Sequence, residues 1–174
     1  MDGWASLLPF LGAVMVVGLS GMIFKPGNWY KTLKKPSWTP PPWVFRLAWP
    51  PLYVMIAVAG WIVWRQVGFG FVLAVWFVNL SLNAAWSWLM FRKRRIDLAL
   101  ADAGAMFATI LIFIAAAWSQ SATAAILFAP YLLWVAFATA LTFSLLQRNP
   151  QSQNAFPSVG PPPSSNSSRT RSAR

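Results

Sequence analysis

The chain has 174 residues, 57% of them hydrophobic and 10% charged, whereas soluble domains carry about a quarter charged residues, so an ordinary soluble domain is excluded. With neither His nor Cys, disulfides, thiol nucleophiles, Cys or His zinc sites, histidine-ligated haem and His-based triads are excluded as well. The net charge of +11 points to an anionic partner, and the placement of the charges decides whether that is nucleic acid or a membrane surface.

In chain order, the first apolar run covers residues 4–24. Asp2 precedes it instead of a basic cluster, and the run is too long for a signal-peptide core, so it reads as a retained helix. Next comes "WYKTLKKPSWTPPPWVF" at 29–45, with three Trp, four Pro and three Lys. Proline fixes φ and removes a donor, so "TPPPW" is expected to be extended and stiff. The three Trp rings are expected to fold back over the mouth of the bundle as a lid, with the lysines toward water or lipid phosphates. An interfacial aromatic belt would use the same residue types.

The second run, 44–64, carries Pro50 and Pro51, which should kink the helix or delay its start. The third, 69–91, carries Asn79 and Asn83. Asn79 reads as interhelical glue; Asn83 fits either an interhelical hydrogen bond or a ligand contact. Asp102 lies a turn inside the fourth run, 98–118. It is expected to rest on the helix dipole and on the nearby Arg92, Lys93, Arg94 and Arg95. The fifth run covers 123–146. Paired-carboxylate hydrolysis would have to use Asp97 and Asp102, which lie about 140° apart around a helix.

Spans of this length should be helices, because lipid offers the backbone no hydrogen bonds. Short links after the second, third and fourth spans predict antiparallel neighbours in an up-and-down bundle. The expected fold is therefore an all-α integral membrane protein, a five-helix transmembrane bundle with a Pro/Trp-rich first loop. Residues 1–148 form the membrane domain, and 149–174 a disordered Pro/Ser/Arg-rich tail.

Five spans place the first loop, the 92–95 basic run and the tail on one side, leaving Arg65 alone on the other. The positive-inside rule puts the basic side in the cytoplasm. The charge is then accounted for without nucleic acid, and membrane lipid is the expected anionic partner. A bacterial envelope is the expected location.

"NWYKTLKKPSWTPPPWVFRLAW" followed by "LY", then "LNAAW", "ALAD" and "PYLLWVAFATAL" in the same order, resemble the translocator protein family. Its members are also called tryptophan-rich sensory proteins or peripheral benzodiazepine receptors. The resemblance covers about residues 10–148. It implies a five-helix bundle, commonly a homodimer, whose pocket opens toward the first loop. That pocket takes porphyrins and benzodiazepine-site ligands, with cholesterol in some members. Carried to matching positions, it would include Tyr30, Pro40, Trp49, Asn83, Trp86, Trp134, Ala138 and Leu141.

These residues are chemically coherent: aromatic walls stack on a flat conjugated ligand, and an indole N–H and an amide orient it. No cofactor is required. A metal-free porphyrin such as protoporphyrin IX needs no axial ligand, and Lys31, Lys34, Lys35 and Arg46 stand ready for its propionates. Phe143 occupies the position of a tyrosine in the family's sterol pattern, which weakens the expectation of sterol binding. The family's dimer face of small residues is represented by Gly70 and Ala74 but broken by Val78; Gly18 with Gly21, or Ala136 with Ala140, suit close helix approach better.

The leading reading is a membrane receptor or translocator for porphyrin-type ligands, linked to tetrapyrrole or stress handling. A light- and oxygen-dependent porphyrin-degrading enzyme, with Trp49 and Trp134 as redox partners, is the second reading. A small carrier or pore is the third, with only a few polar residues on the third helix to line it.

Overall fold

The computed structural model describes residues 3–150 and is all-helical among them. A 3₁₀ turn, Ala5–Leu7, leads into α1, Leu8–Ile23. A short helix in the first loop, α2, covers Asn28–Thr32. The remaining spans are α3, Pro42–Val67; α4, Phe71–Ser87; α5, Ile96–Trp118; and α6, Ala122–Arg148. Five stretches are long and apolar enough to cross a bilayer: Ala5–Ile23, Pro42–Val67, Phe71–Arg92, Ile96–Trp118 and Ala122–Arg148.

Local chemistry sets the helix ends. Pro41 is extended, and Pro42 takes the first-turn position, where a missing N–H costs nothing. The helix therefore starts ahead of Val44 and runs unbroken through Pro50 and Pro51. The delayed start expected from these prolines does not occur. Both prolines are exposed on the outside of the bundle. Gly68 ends α3 at φ +68, its N–H bonded to the Trp64 carbonyl at 2.8 Å. Ser121 caps α6, its Oγ accepting the Ala124 N–H at 3.3 Å.

At the end of α4 the chain widens into a π-helical turn, Trp88–Arg92. Lys93 N–H reaches the Trp88 carbonyl at 2.9 Å and Arg95 N–H the Leu89 carbonyl at 3.1 Å, with Arg94 at φ 56. Arg95 then clasps Asp97 with two bonds, Nε to Oδ1 at 2.8 Å and Nη2 to Oδ2 at 2.6 Å.

The spans close a ring in the order α1, α3, α6, α5, α4, with α1 packed against both α3 and α4. The short links predicted sequential neighbours, and α4–α5 and α5–α6 obey. In contrast, α3 and α4 touch sparingly along their length. Trp76 explains the gap: it is fully buried, and its indole N–H donates to the Ile56 carbonyl at 2.9 Å. Its ring lies so close to Gly60 that a Cβ there would stand 2.5 Å from Trp76 Cε2. A whole indole thus separates the two backbones. Gly18 serves close approach within the bundle, since a Cβ on it would lie 3.3 Å from the Tyr53 ring. Gly70, Ala74 and Val78 all face outward on or beside α4.

One hydrophobic core runs through all five spans, and a second sits at the basic end, where Leu33 of the loop joins Met90, Ile96, Leu141 and Leu145. The outer surface is as apolar as the interior: Met15, Val54, Phe77, Leu111 and Leu133 are exposed. Hydrocarbon, not water, suits that surface, and the chain is a multi-pass membrane protein. The disorder expected from Asn149 onward falls, past Pro150, outside the described residues. Asn149 itself is bonded back onto the bundle.

Candidate functional site

Asn83, 5% exposed on α4, sits where α3 and α6 present tyrosines to it. The Tyr53 hydroxyl donates to Asn83 Oδ1 at 3.1 Å, and Asn83 Nδ2 donates to the Tyr131 hydroxyl at 2.8 Å. The amide is thus held from both sides and its orientation fixed. Around it the rings converge. Trp49 stacks on Tyr53 at 5.1 Å, meets Tyr131 at 6.4 Å and stands edge-on to Trp134 at 6.3 Å. Trp134 is flanked further by Phe45 at 5.4 Å and Phe137 at 5.7 Å. The buried Trp134 Nε1 has no acceptor within the described protein.

Helix spacing builds this cluster. Trp49 and Tyr53 are four apart on α3, Tyr131 and Trp134 three apart on α6, so each pair shares a face. Tyr53 and Tyr131 were absent from the predicted set, although that spacing beside Trp49 and Trp134 was a readable signal. Phe45, four before Trp49, and Phe137, three after Trp134, carried the same spacing signal and were also absent from the predicted set.

Of the predicted residues, Trp49, Asn83 and Trp134 therefore come together. Tyr30, Trp86 and Leu141 belong to the second core at the basic end, and Trp86 touches both cores. The π-helical turn places Phe91 between Tyr30 and Trp86, edge-on to each at 5.5 and 5.7 Å. Ala138 lies one turn beyond Trp134, its carbonyl accepting Thr142 Oγ1 at 2.8 Å. Pro40 is half-buried ahead of α3.

The first loop folds back incompletely. Leu33 and Pro36 are buried, Trp29 packs on the second core, and Trp38 lies edge-on to Phe137 at 5.8 Å. Trp43, in the first turn of α3, is 55% exposed and makes no ring contact among the described residues, so two of the three tryptophans pack on the bundle. The stiff extended stretch is likewise shorter than expected. Thr39 closes a turn onto the Pro36 carbonyl, at 3.1 Å from its N–H and 2.7 Å from its hydroxyl, and Pro42 is already helical.

Charge gathers at this mouth. Lys35 Nζ lies 4.8 Å from the centre of the Tyr30 ring and donates to the Lys31 carbonyl at 3.3 Å. Burial holds the Tyr30 phenol above its ordinary pKa of 10.0. The bond to Asp97, seconded by its charge, raises Arg95.

Asp102 is 8% exposed, and its Oδ2 has no partner. The expected support from the basic run does not reach it, because Arg95 is committed to Asp97 in the one ion pair among the described residues. Asn79 is glue, donating to the Met106 carbonyl and to Thr109 Oγ1 at 3.3 and 2.9 Å. No group of three His, Cys, Asp or Glu able to hold a metal occurs among the described residues.

Two open recesses mark the surface. One, of about 390 Å³, lies outside α3 and α6 and is backed by Trp134, Pro51 and Pro130. The other, of about 650 Å³, is at the opposite end, by Ser6 and Arg65. Neither is the ring cluster itself, whose side chains pack on one another.

The profile of the TspO/MBR family matches residues 5–148. The chain is 36% identical over 146 residues to the tryptophan-rich sensory protein of Cereibacter sphaeroides, covering 84% of this chain and 92% of that protein. It is 34% identical over 151 residues to protein CrtK of Rhodobacter capsulatus, covering 79% and 89%. With the translocator protein of Bos taurus it shares 36% identity over 157 residues, covering 83% and 87%. With a five-span helical bundle that this profile matches from its first turn to the last residue of α6, the chain belongs to the TspO/MBR family.

Proposed function

We propose that the protein is a membrane receptor or translocator for a flat, conjugated, carboxylate-bearing ligand of the porphyrin type, taken up between the Trp49–Trp134 ring cluster and the first loop. The observation that carries this reading is the buried Trp134 Nε1 with no acceptor, in the wall of an aromatic cluster that already holds the Asn83 amide in place. A buried donor without a partner is costly, and a ligand carbonyl or ring nitrogen would satisfy it. Stacking on Trp49 and Trp134 supplies the apolar contact. Lys31, Lys34, Lys35 and Arg46 are the cations for the carboxylates. The loop side faces the cytoplasm on this reading, because the basic residues gather there. A homodimer is the expected assembly.

The test is a titration of purified protein in detergent with protoporphyrin IX, in the dark, following tryptophan quenching. Saturable quenching is expected, weakened about tenfold by Asn83→Ala and by Trp49→Phe, the scale of one or two lost polar or ring contacts. Linear quenching, equal in all three proteins, would remove the ligand reading. Illuminating the saturated samples and analysing the pigment separates binding from degradation: intact porphyrin means a receptor, an opened tetrapyrrole an enzyme.

A further inference from the structure

A single side chain ties the first loop to the last helix. Asn149, the residue after α6, accepts the Lys34 N–H on Oδ1 at 2.9 Å and donates from Nδ2 to the Lys34 carbonyl at 3.0 Å. The same Nδ2 donates to the Leu145 carbonyl at 2.8 Å, one of the last-turn acceptors that a helix leaves unpaired. An asparagine amide meets this demand because it has an acceptor and two donors; Asp has no donor, and Ser has one.

The partners on the loop side are equally specific. Lys34 is flanked by Leu33, which is buried with Leu141 and Leu145, and by Lys35, which lies over the Tyr30 ring. An apolar plug and a hydrogen-bonded clasp therefore meet in adjacent residues. The plug is non-directional, so the clasp sets where the loop sits. Further along, Trp38 rests on Phe137, the neighbour of Trp134.

We propose that Asn149 is the latch of the first loop: its pair with the Lys34 peptide holds the loop down on the bundle mouth, and releasing it opens the way to the Trp49–Trp134 cluster. The second half rests on the ligand reading above; the first half does not. Both loop bonds are exposed to water, which competes for the same groups. Such a latch shifts the open population by about tenfold and does not lock the loop permanently.

The experiment is amide hydrogen exchange on the full-length protein in detergent, comparing the wild type with Asn149→Ala and Asn149→Asp. Asp keeps the acceptor for the Lys34 N–H and loses both donations. Exchange over residues 33–39 should rise about tenfold in Asn149→Ala and less in Asn149→Asp, with α4 and α5 unchanged as proof of folding. Protoporphyrin IX should leave the Ala variant faster by a similar factor. Unchanged exchange over 33–39, or a rise confined to 142–148, would reduce Asn149 to a helix cap and overturn the latch. A looser loop with unaltered porphyrin release, in protein that binds it, would overturn the gating. If the wild type binds no porphyrin, the ligand reading falls, and the exchange result alone decides whether Asn149 holds the loop.

Discussion

Gly60 shows how much one missing side chain can carry. The Trp76 indole lies across it, close enough that any Cβ would overlap the ring, while the Trp76 N–H is spent on the Ile56 carbonyl. Moving the ring breaks that bond, and moving the helix opens the core. Gly60→Ala should therefore destabilise the protein by about 1–3 kcal/mol, the usual cost of overpacking a core, read as a lower thermal midpoint in one detergent. Gly12→Ala is the control: nothing lies within 4 Å of a Cβ there, and little change is expected. Asn83 belongs to the same scale. Its amide bonds two tyrosines on two other helices, so it is interhelical glue, and the same amide stands in the ring cluster proposed above to take the ligand.

Among the elements, the junction of α4 and α5 departs most from ideal geometry. The π-helical turn and the left-handed Arg94 let the chain reverse and still bury Met90 and place Phe91 between Tyr30 and Trp86. A left-handed L-residue costs roughly 1–2 kcal/mol. Arg94→Gly should recover about 1 kcal/mol of stability, measured by thermal unfolding, with protoporphyrin titration unchanged because the side chain is exposed. A destabilised variant would mean that the Arg94 side chain, not the backbone, matters. α3 makes the opposite point: it stays continuous through two interior prolines, both exposed on its outer face.

For the whole molecule, orientation is the open quantity. The chain has no cysteine, so single introduced thiols report cleanly. Lys34→Cys and Lys93→Cys mark the basic end; Gln66→Cys and Gln120→Cys mark the other. In spheroplasts an impermeant maleimide should label the second pair alone, and the first pair only after lysis. The reverse pattern would turn the protein over and place the first loop outside the cell.

The number of spans, their helical state, the gathering of charge at one end and the family motifs are all legible along the chain. Each follows from local composition: a run of apolar residues cannot leave its backbone unpaired in lipid, whatever its neighbours do. The sequence also made Trp49, Asn83 and Trp134 candidates together. Only the tertiary structure shows the ring order of the helices, in which the Trp76 indole fills the space between α3 and α4. It separated Tyr30, Trp86 and Leu141 from the central cluster and brought in Tyr53 and Tyr131 as the partners of Asn83. It also turned Asn149 from the first residue of a tail into a tie between residues 115 apart. Which donor meets which acceptor across helices depends on their rotation and depth, and no single segment encodes those.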